Sequence, residues 1–310
     1  MTAPVRLQGI IPPLTTPFDA QGELDEDAIA AQVRWMIEQG VHGLVVGGST
    51  GEGYTLTVDE LARIAQSTIE AAEGRVPVVA SIIADSTREV TRRVRRLAPL
   101  PLAALQITPP HYIFEPEPEG LVEFYARAAD ESPFPLIIYN VIPWTPVSPA
   151  LARRLVEEVP EIVAIKQSKT DLGLYAEMVR TLGADRVFAA LDEMLRECYE
   201  AGAAGSIAAI GTAAPSASLA LWEAVRSGSK NEAARLQADL GALWQTLVGP
   251  NMPARVKVAQ QMQGIQTGHP RSPMHAPDQA TRDRIANALA SIKPETVRAS
   301  PNGAGLLRHQ

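Results

Sequence analysis

Eight short apolar runs, each leading into a helical pattern, leave this chain few folds to choose from. They are "GIIPPL" from Gly9, "GLVVGG" from Gly43, "PVVASII" from Pro77, "LAALQI" from Leu102, "PLIIYNV" from Pro135, "IVAIKQ" from Ile162, "RVFAALD" from Arg186 and "GSIAAIG" from Gly205. None alternates cleanly with polar residues, as strands of a sheet buried on both faces must not. Segments such as "EDAIAAQVRWMIEQG", "TVDELARIAQSTIEAAEG" and "SPALARRLVEEVP" lie between them. Their apolar residues recur at three- and four-residue spacing, and Gly or Pro closes several of them. A strand and a helix repeated eight times, about every 25–35 residues, is the pattern of a (β/α)8 TIM barrel. A doubly wound open sheet is the alternative, and eight consecutive units favour closure. The barrel is expected over residues 1–228, and a C-terminal helical region over 229–293, with helices near 232–248, 253–264 and 278–292. Residues 294–310, rich in turn formers and without periodicity, read as a flexible tail.

The composition fits this fold and narrows the partners. At 310 residues, 46% apolar and 20% charged, the chain is globular and long enough for one α/β barrel. A net charge of −7 argues against a dedicated nucleic-acid binder. The five arginines of "REVTRRVRRL" read as a solvated outer helix face. The single cysteine, Cys198, leaves neither an intramolecular disulfide nor a Cys-cluster metal site, and the five histidines show no metal-ligand spacing. No apolar run is long enough to span a membrane, and "MTAPVRLQG" does not resemble a signal peptide. A cytoplasmic protein handling small molecules is expected.

Barrel active sites lie at the carboxyl ends of the strands, and there the sixth run holds an oddity. "VAIKQSK" carries a buried strand straight into Lys166. A buried ammonium without a partner is expensive. Walled by apolar groups, it gives up its proton more readily, and the free amine can attack a ketone to form a Schiff base. The bland alternative is a lysine that reaches solvent or pairs with Asp192. One strand earlier, "PLIIYN" ends near Tyr139, a hydroxyl able to pass protons or simply a buried tyrosine satisfying one hydrogen bond. After the second strand, "GGSTGE" sets Ser49 and Thr50 among glycines, where backbone amides and hydroxyls could hold a carboxylate.

Taken together, these three stretches resemble the dihydrodipicolinate synthase and N-acetylneuraminate lyase family, the class I pyruvate-dependent aldolases. Gly48-Ser49-Thr50-Gly51-Glu52 is similar to the family's G-x-x-G-E motif, "YNVIP" to its Y-N-x-P region and "AIKQS" to its strand-six lysine pattern. "LDE" at 191–193 resembles a substrate-contacting stretch of the sugar-acid lyases. "GPNMPARVK" and "RSPM" look like landmarks of the helical region. The resemblance covers about residues 7–293. It implies Lys166 as the Schiff-base lysine, Tyr139 as proton shuttle and Ser49 in the proton relay. It further implies Ser49 and Thr50 on the carboxylate, Ile207 orienting the ketoacid, and substrate contacts from Asp192 and Glu193; Trp144, in the loop after Tyr139, is expected as a further substrate contact from its position. Either His111 or Tyr112 would stand where the family lends a tyrosine to a neighbouring subunit. The implied enzyme is a carbon–carbon lyase joining or cleaving pyruvate, or a related 2-oxo acid, and an aldehyde. It would need no metal or organic cofactor and would assemble as a homotetramer.

Two departures bear on specificity. The synthase carries an arginine shortly after the tyrosine to bind the carboxylate of its aldehyde, and here Trp144 and Thr145 stand in that stretch. A poor dihydrodipicolinate synthase is therefore expected. The family's acid after the lysine is Gln167 here. Synthase activity, dehydration of a deoxy sugar acid, and a non-catalytic ligand-binding paralogue remain as alternatives.

Overall fold

The computed structural model describes residues 7–292, so the expected tail and the first residues lie outside the described part. Eight parallel strands follow in chain order: β1 (Gly9–Ile10), β2 (Leu44–Val46), β3 (Val78–Ile82), β4 (Ala104–Ile107), β5 (Leu136–Asn140), β6 (Ile162–Gln167), β7 (Val187–Ala189) and β8 (Gly205–Ser206). Each of the eight apolar runs supplies one strand. From β2 to β8 each strand pairs with the next in sequence, and β8 returns to β1. The TIM barrel expected from the repeat is therefore what forms.

The first run makes only a two-residue strand, for a covalent reason. Pro12 and Pro13 carry no N–H, so the ladder there cannot run in both directions. The seam to β2 closes through the groups that remain. Val45 N–H donates to Pro12 O (3.0 Å), Leu14 N–H donates to Val45 O (2.8 Å), and Pro13 bridges Val45. On the other side, Gly205 allows β8 to approach β1. A Cβ there would lie 2.0 Å from Gly9 O, on a backbone with φ of +148°.

The outer layer alternates with the strands: α1 (Glu26–Glu38), α2 (Val58–Ala72), α3 (Thr87–Leu97), α4 (Pro118–Glu131), α5 (Pro149–Glu158), α6 (Leu172–Leu182), α7 (Leu195–Glu200), the short α8 (Ala209–Ala213) and α9 (Pro215–Arg226). Local chemistry starts several of them. Asp25, Ser86, Ser148 and Asp171 accept from backbone amides of the first turns of α1, α3, α5 and α6. Thr57 and Glu60 form a reciprocal capping box on α2. Most arginines of α3 lie on the expected outer face, Arg93 is largely buried, and several meet carboxylates. Arg93 reaches Glu89, Arg96 reaches Asp59 of α2 and Arg95 reaches Glu131 of α4. Beyond the barrel, α10 (Lys230–Leu247), α11 (Met252–Gln261) and α12 (Gln279–Ser291) form the C-terminal helical region. Among the described residues no helix is long and apolar enough to cross a membrane.

Strand side chains alternate between two cores. Ile138, Ile165 and Val187 face outward into the large core shared with the helices. Ile11, Val45, Val79, Ala104, Ile137, Ala164, Phe188 and Ile207 form a separate cluster inside the barrel. Two residues further along the same strands come Ser81, Gln106, Tyr139 and Lys166, all buried. A polar layer thus rests on an apolar floor at the carboxyl end of the barrel.

Candidate active site

Lys166 ends an inward-facing series. Ala164 belongs to the interior cluster, and the alternation of β6 turns Lys166 to the same side one step higher. The residue is 4% exposed. Register places it beside Tyr139 of β5 on one side and Phe188 of β7 on the other. Its Nζ lies 3.9 Å from the centroid of the Tyr139 ring, a stacked cation–π contact in which the aromatic face offsets part of the desolvation cost. The amine is thereby fixed beside the phenol.

The phenol reaches across the barrel. Tyr139 O–H donates to Ser49 Oγ at 3.1 Å, so the turn after β2 and the end of β5 meet over the lysine. Thr50 is buried next to Ser49. The three motifs separated by about ninety and thirty residues in sequence therefore form one constellation: amine, phenol and hydroxyl.

The remaining expected residues divide by position. Asp192, in the loop after β7, is buried, and its Oδ1 accepts from Ile210 N at 2.7 Å, holding the start of α8. Burial pushes its carboxyl up to about 6, against the downward pull of the Ile210 amide and the Lys166 charge. Glu193 is half-buried and accepts from Thr170 Oγ1 at 3.4 Å. Ile207, just past β8, is buried in the interior cluster, and its N–H donates to Ala189 O.

Trp144 and His111 form part of the rim. The Trp144 indole is 55% exposed, yet its Nε1–H donates to His111 O at 2.7 Å, joining the loops after β5 and β4. Asp85, after β3, extends this chain by accepting from the amides of His111 (2.7 Å) and Tyr112 (2.9 Å) through Oδ1. The same oxygen lies 3.0 Å from His111 Nδ1, too poorly aligned for a hydrogen bond. His111 thus turns towards the loop after β3, whereas Tyr112, Ile113 and Phe114 project outward at 72, 64 and 78% exposure.

Three residues that sequence reasoning did not select, Ser81, Gln106 and Asn140, complete the site. Gln106 Nε2–H donates to Ser81 Oγ at 2.8 Å inside the barrel, in the layer of Lys166 and Tyr139. Both interrupt apolar strands, the same signal that marked Lys166. Asn140 clamps the following loop, accepting from Val147 N (2.9 Å) and donating to Val147 O (2.8 Å). Its Nδ2 also donates to Gln167 Oε1 at 2.7 Å, which accounts for Gln167. The amide supplies the acceptor a carboxylate would supply, without adding charge one residue from Lys166.

Comparison with known proteins gives the family. The family model for the dihydrodipicolinate synthetase family matches residues 6–292. A 4-hydroxy-tetrahydrodipicolinate synthase of an Exiguobacterium species is 33% identical over 91% of this chain and 96% of its own. One from Thermomicrobium roseum is 34% identical over 94% and 96%. Among solved structures, a dihydrodipicolinate synthase from Bacillus anthracis superposes with a TM-score of 0.88 at 26% identity, covering 94% of this chain and all of that one. Matched by the family model over nearly its whole described length, this chain belongs to the dihydrodipicolinate synthetase family and is an enzyme of the class I aldolase kind of lyase.

Proposed function

We propose that the chain is a Schiff-base lyase that joins pyruvate, or a close 2-oxo acid, to an aldehyde or cleaves the product. The observation that carries this reading is the contact of Lys166 Nζ with the Tyr139 ring while the Tyr139 hydroxyl meets Ser49. Free amine of Lys166 adds to the ketone carbon, and loss of water gives an iminium. That cation draws electrons from the neighbouring methyl, which gives up a proton to the Tyr139–Ser49 relay and becomes a nucleophilic enamine. The enamine carbon forms the new bond to the aldehyde carbon, and Tyr139 donates a proton to the aldehyde oxygen, with Ser49 as the next member of the relay. The hydroxyl and amides of Ser49 and Thr50 hold the ketoacid carboxylate, and Ile207 orients it. Hydrolysis of the iminium then releases product. The imine serves as the electron sink, so the proposed chemistry calls for no metal or organic cofactor.

The rim favours an acceptor without a carboxylate. Trp144 presents a broad apolar face, and Asp192 and Glu193 lie in the next loop but one. A planar, bidentate arginine would hold a carboxylate well, and none stands between Tyr139 and Arg153. The synthase name of the curated relatives supports the opposite reading. An assay of pyruvate against a panel of aldehydes, run in both directions and including deoxy sugar acids for dehydration, decides between them. Aspartate semialdehyde is expected to react about 30- to 1000-fold less efficiently than the best acceptor, corresponding to about 2–4 kcal/mol for a lost charged contact. A kcat/KM of about 10⁴ M⁻¹s⁻¹ or more with that aldehyde contradicts the specificity claim.

The proposal includes a cytoplasmic homotetramer built from two dimers. Tyr112, Ile113 and Phe114 form an exposed apolar tip whose burial against a second copy would be favourable. Tyr112 rather than His111 is then the residue lent to a neighbour. Light scattering at four times the 33.2 kDa chain mass is the expected result, and a monomer alone contradicts it.

A further inference from the structure

The turn that carries Ser49 and Thr50 is held in an unfavourable shape by residues more than 200 positions away. Glu52 closes it in the left-handed region, with φ of 54°, a conformation that costs a side-chain-bearing residue. The turn is also very tight. Gly51 and Gly53 N–H both donate to Gly48 O, and a Cβ on Gly53 would lie 1.7 Å from Gly47 O. Left alone, such a turn would relax.

Both oxygens of the Glu52 carboxylate are engaged against this. Oε1 accepts from Lys257 Nζ at 2.6 Å, and Oε2 accepts from the backbone N–H of Arg271 at 2.8 Å. Lys257 also donates to His269 O at 2.6 Å, and the two charged side chains are each about 1% exposed. The Arg271 guanidinium then grips Glu60, at the first turn of α2, and the carbonyls of Gly22 and Thr55. Phe18 lies under both cations, at 4.8 Å from Lys257 Nζ and 4.1 Å from the Arg271 guanidinium carbon. The C-terminal helical region thus fastens the turn at its strained residue and again just beyond it.

Stability alone does not call for this arrangement. A buried ion pair is often no better for stability than apolar groups of similar volume, since desolvation offsets the attraction. What the carboxylate adds is direction, because two fixed donors on two oxygens set both the position and the rotation of Glu52. We propose that Glu52 and Lys257 are positioning residues: their buried pair sets the Ser49–Thr50 amides and hydroxyls in the geometry that receives the ketoacid carboxylate. This rests on the Schiff-base reading above. It assigns the helical region a part in substrate binding without contact with substrate.

The test measures the pyruvate concentration that gives half-maximal borohydride labelling of Lys166, in the unaltered protein and in Glu52→Gln, Lys257→Met and the double variant. The double variant leaves no unpaired buried charge and guards against simple unfolding. Every variant with a cooperative melt is expected to need about ten-fold more pyruvate or higher, while labelling at saturation stays at one per chain. Half-saturation within two-fold of the unaltered protein in a folded variant overturns the proposal and leaves the pair a purely structural feature. Absence of any Lys166 label in the unaltered protein defeats the Schiff-base reading itself, and the inference falls with it. A second measurement needs no variant. Pyruvate is expected to slow amide exchange in residues 47–53 and in 265–271 together, and protection confined to the turn contradicts the coupling.

Discussion

Two layers of one barrel, separated by two residues along the same strands, do different work. In the lower layer Val79, Ala104, Ile137 and Ala164 pack into a closed apolar cluster. In the upper layer the same strands present Ser81, Gln106, Tyr139 and Lys166, equally buried but able to exchange protons or form bonds. The separation is roughly 6.6 Å of strand rise. The comparison teaches that burial alone does not mark function in this fold. The floor is buried to pack. In the layer above it a lysine and a tyrosine face each other in little water, and on the proposed reading that strengthens electrostatic and proton-transfer interactions between them.

The largest expected effect short of removing the lysine comes from Tyr139→Phe. It keeps the ring under Lys166 and deletes the hydroxyl that meets Ser49. Loss of one proton-transfer group should lower kcat by roughly 10²–10⁴-fold, with the melting temperature little changed and borohydride labelling of Lys166 retained. A kcat within ten-fold of the unaltered enzyme would move the proton role to another group. One step down the same strand, Ile137→Ala should do the reverse. A cavity in the floor costs about 2–4 kcal/mol of stability, read by denaturant unfolding, with kcat of the folded protein changed less than about three-fold. A collapse of kcat at unchanged stability would erase the distinction between the layers.

The sequence made the floor more legible than the layer above it. Continuous apolar runs of Val, Ile and Leu show a strand buried on both faces, and all eight became strands. The run at Gly9 reads longer than the strand it makes, because proline removes donors without disturbing the apolar pattern. Lys166 and Tyr139 are conspicuous as polar residues at the ends of such runs. Ser81 and Gln106 carry the same signal in weaker form, since a small hydroxyl or a neutral amide is commoner inside a strand than an ammonium. The helical region was visible as three periodic stretches, whereas its grip on Glu52 was not. Contacts across 205 and 219 positions depend on barrel closure, and no local period reports them. The role of Gln167 was hidden for the same reason, because its partner Asn140 lies on the adjacent strand.

The central claim is that the upper layer exists to make Lys166 a nucleophile towards a ketoacid. Incubation with pyruvate and borohydride, followed by peptide mass spectrometry, tests it most directly. The account predicts one reduced pyruvate per chain on the peptide containing Lys166, and no adduct in Lys166→Ala. A label on Lys169 or Lys257, or an undiminished label in Lys166→Ala, would contradict it.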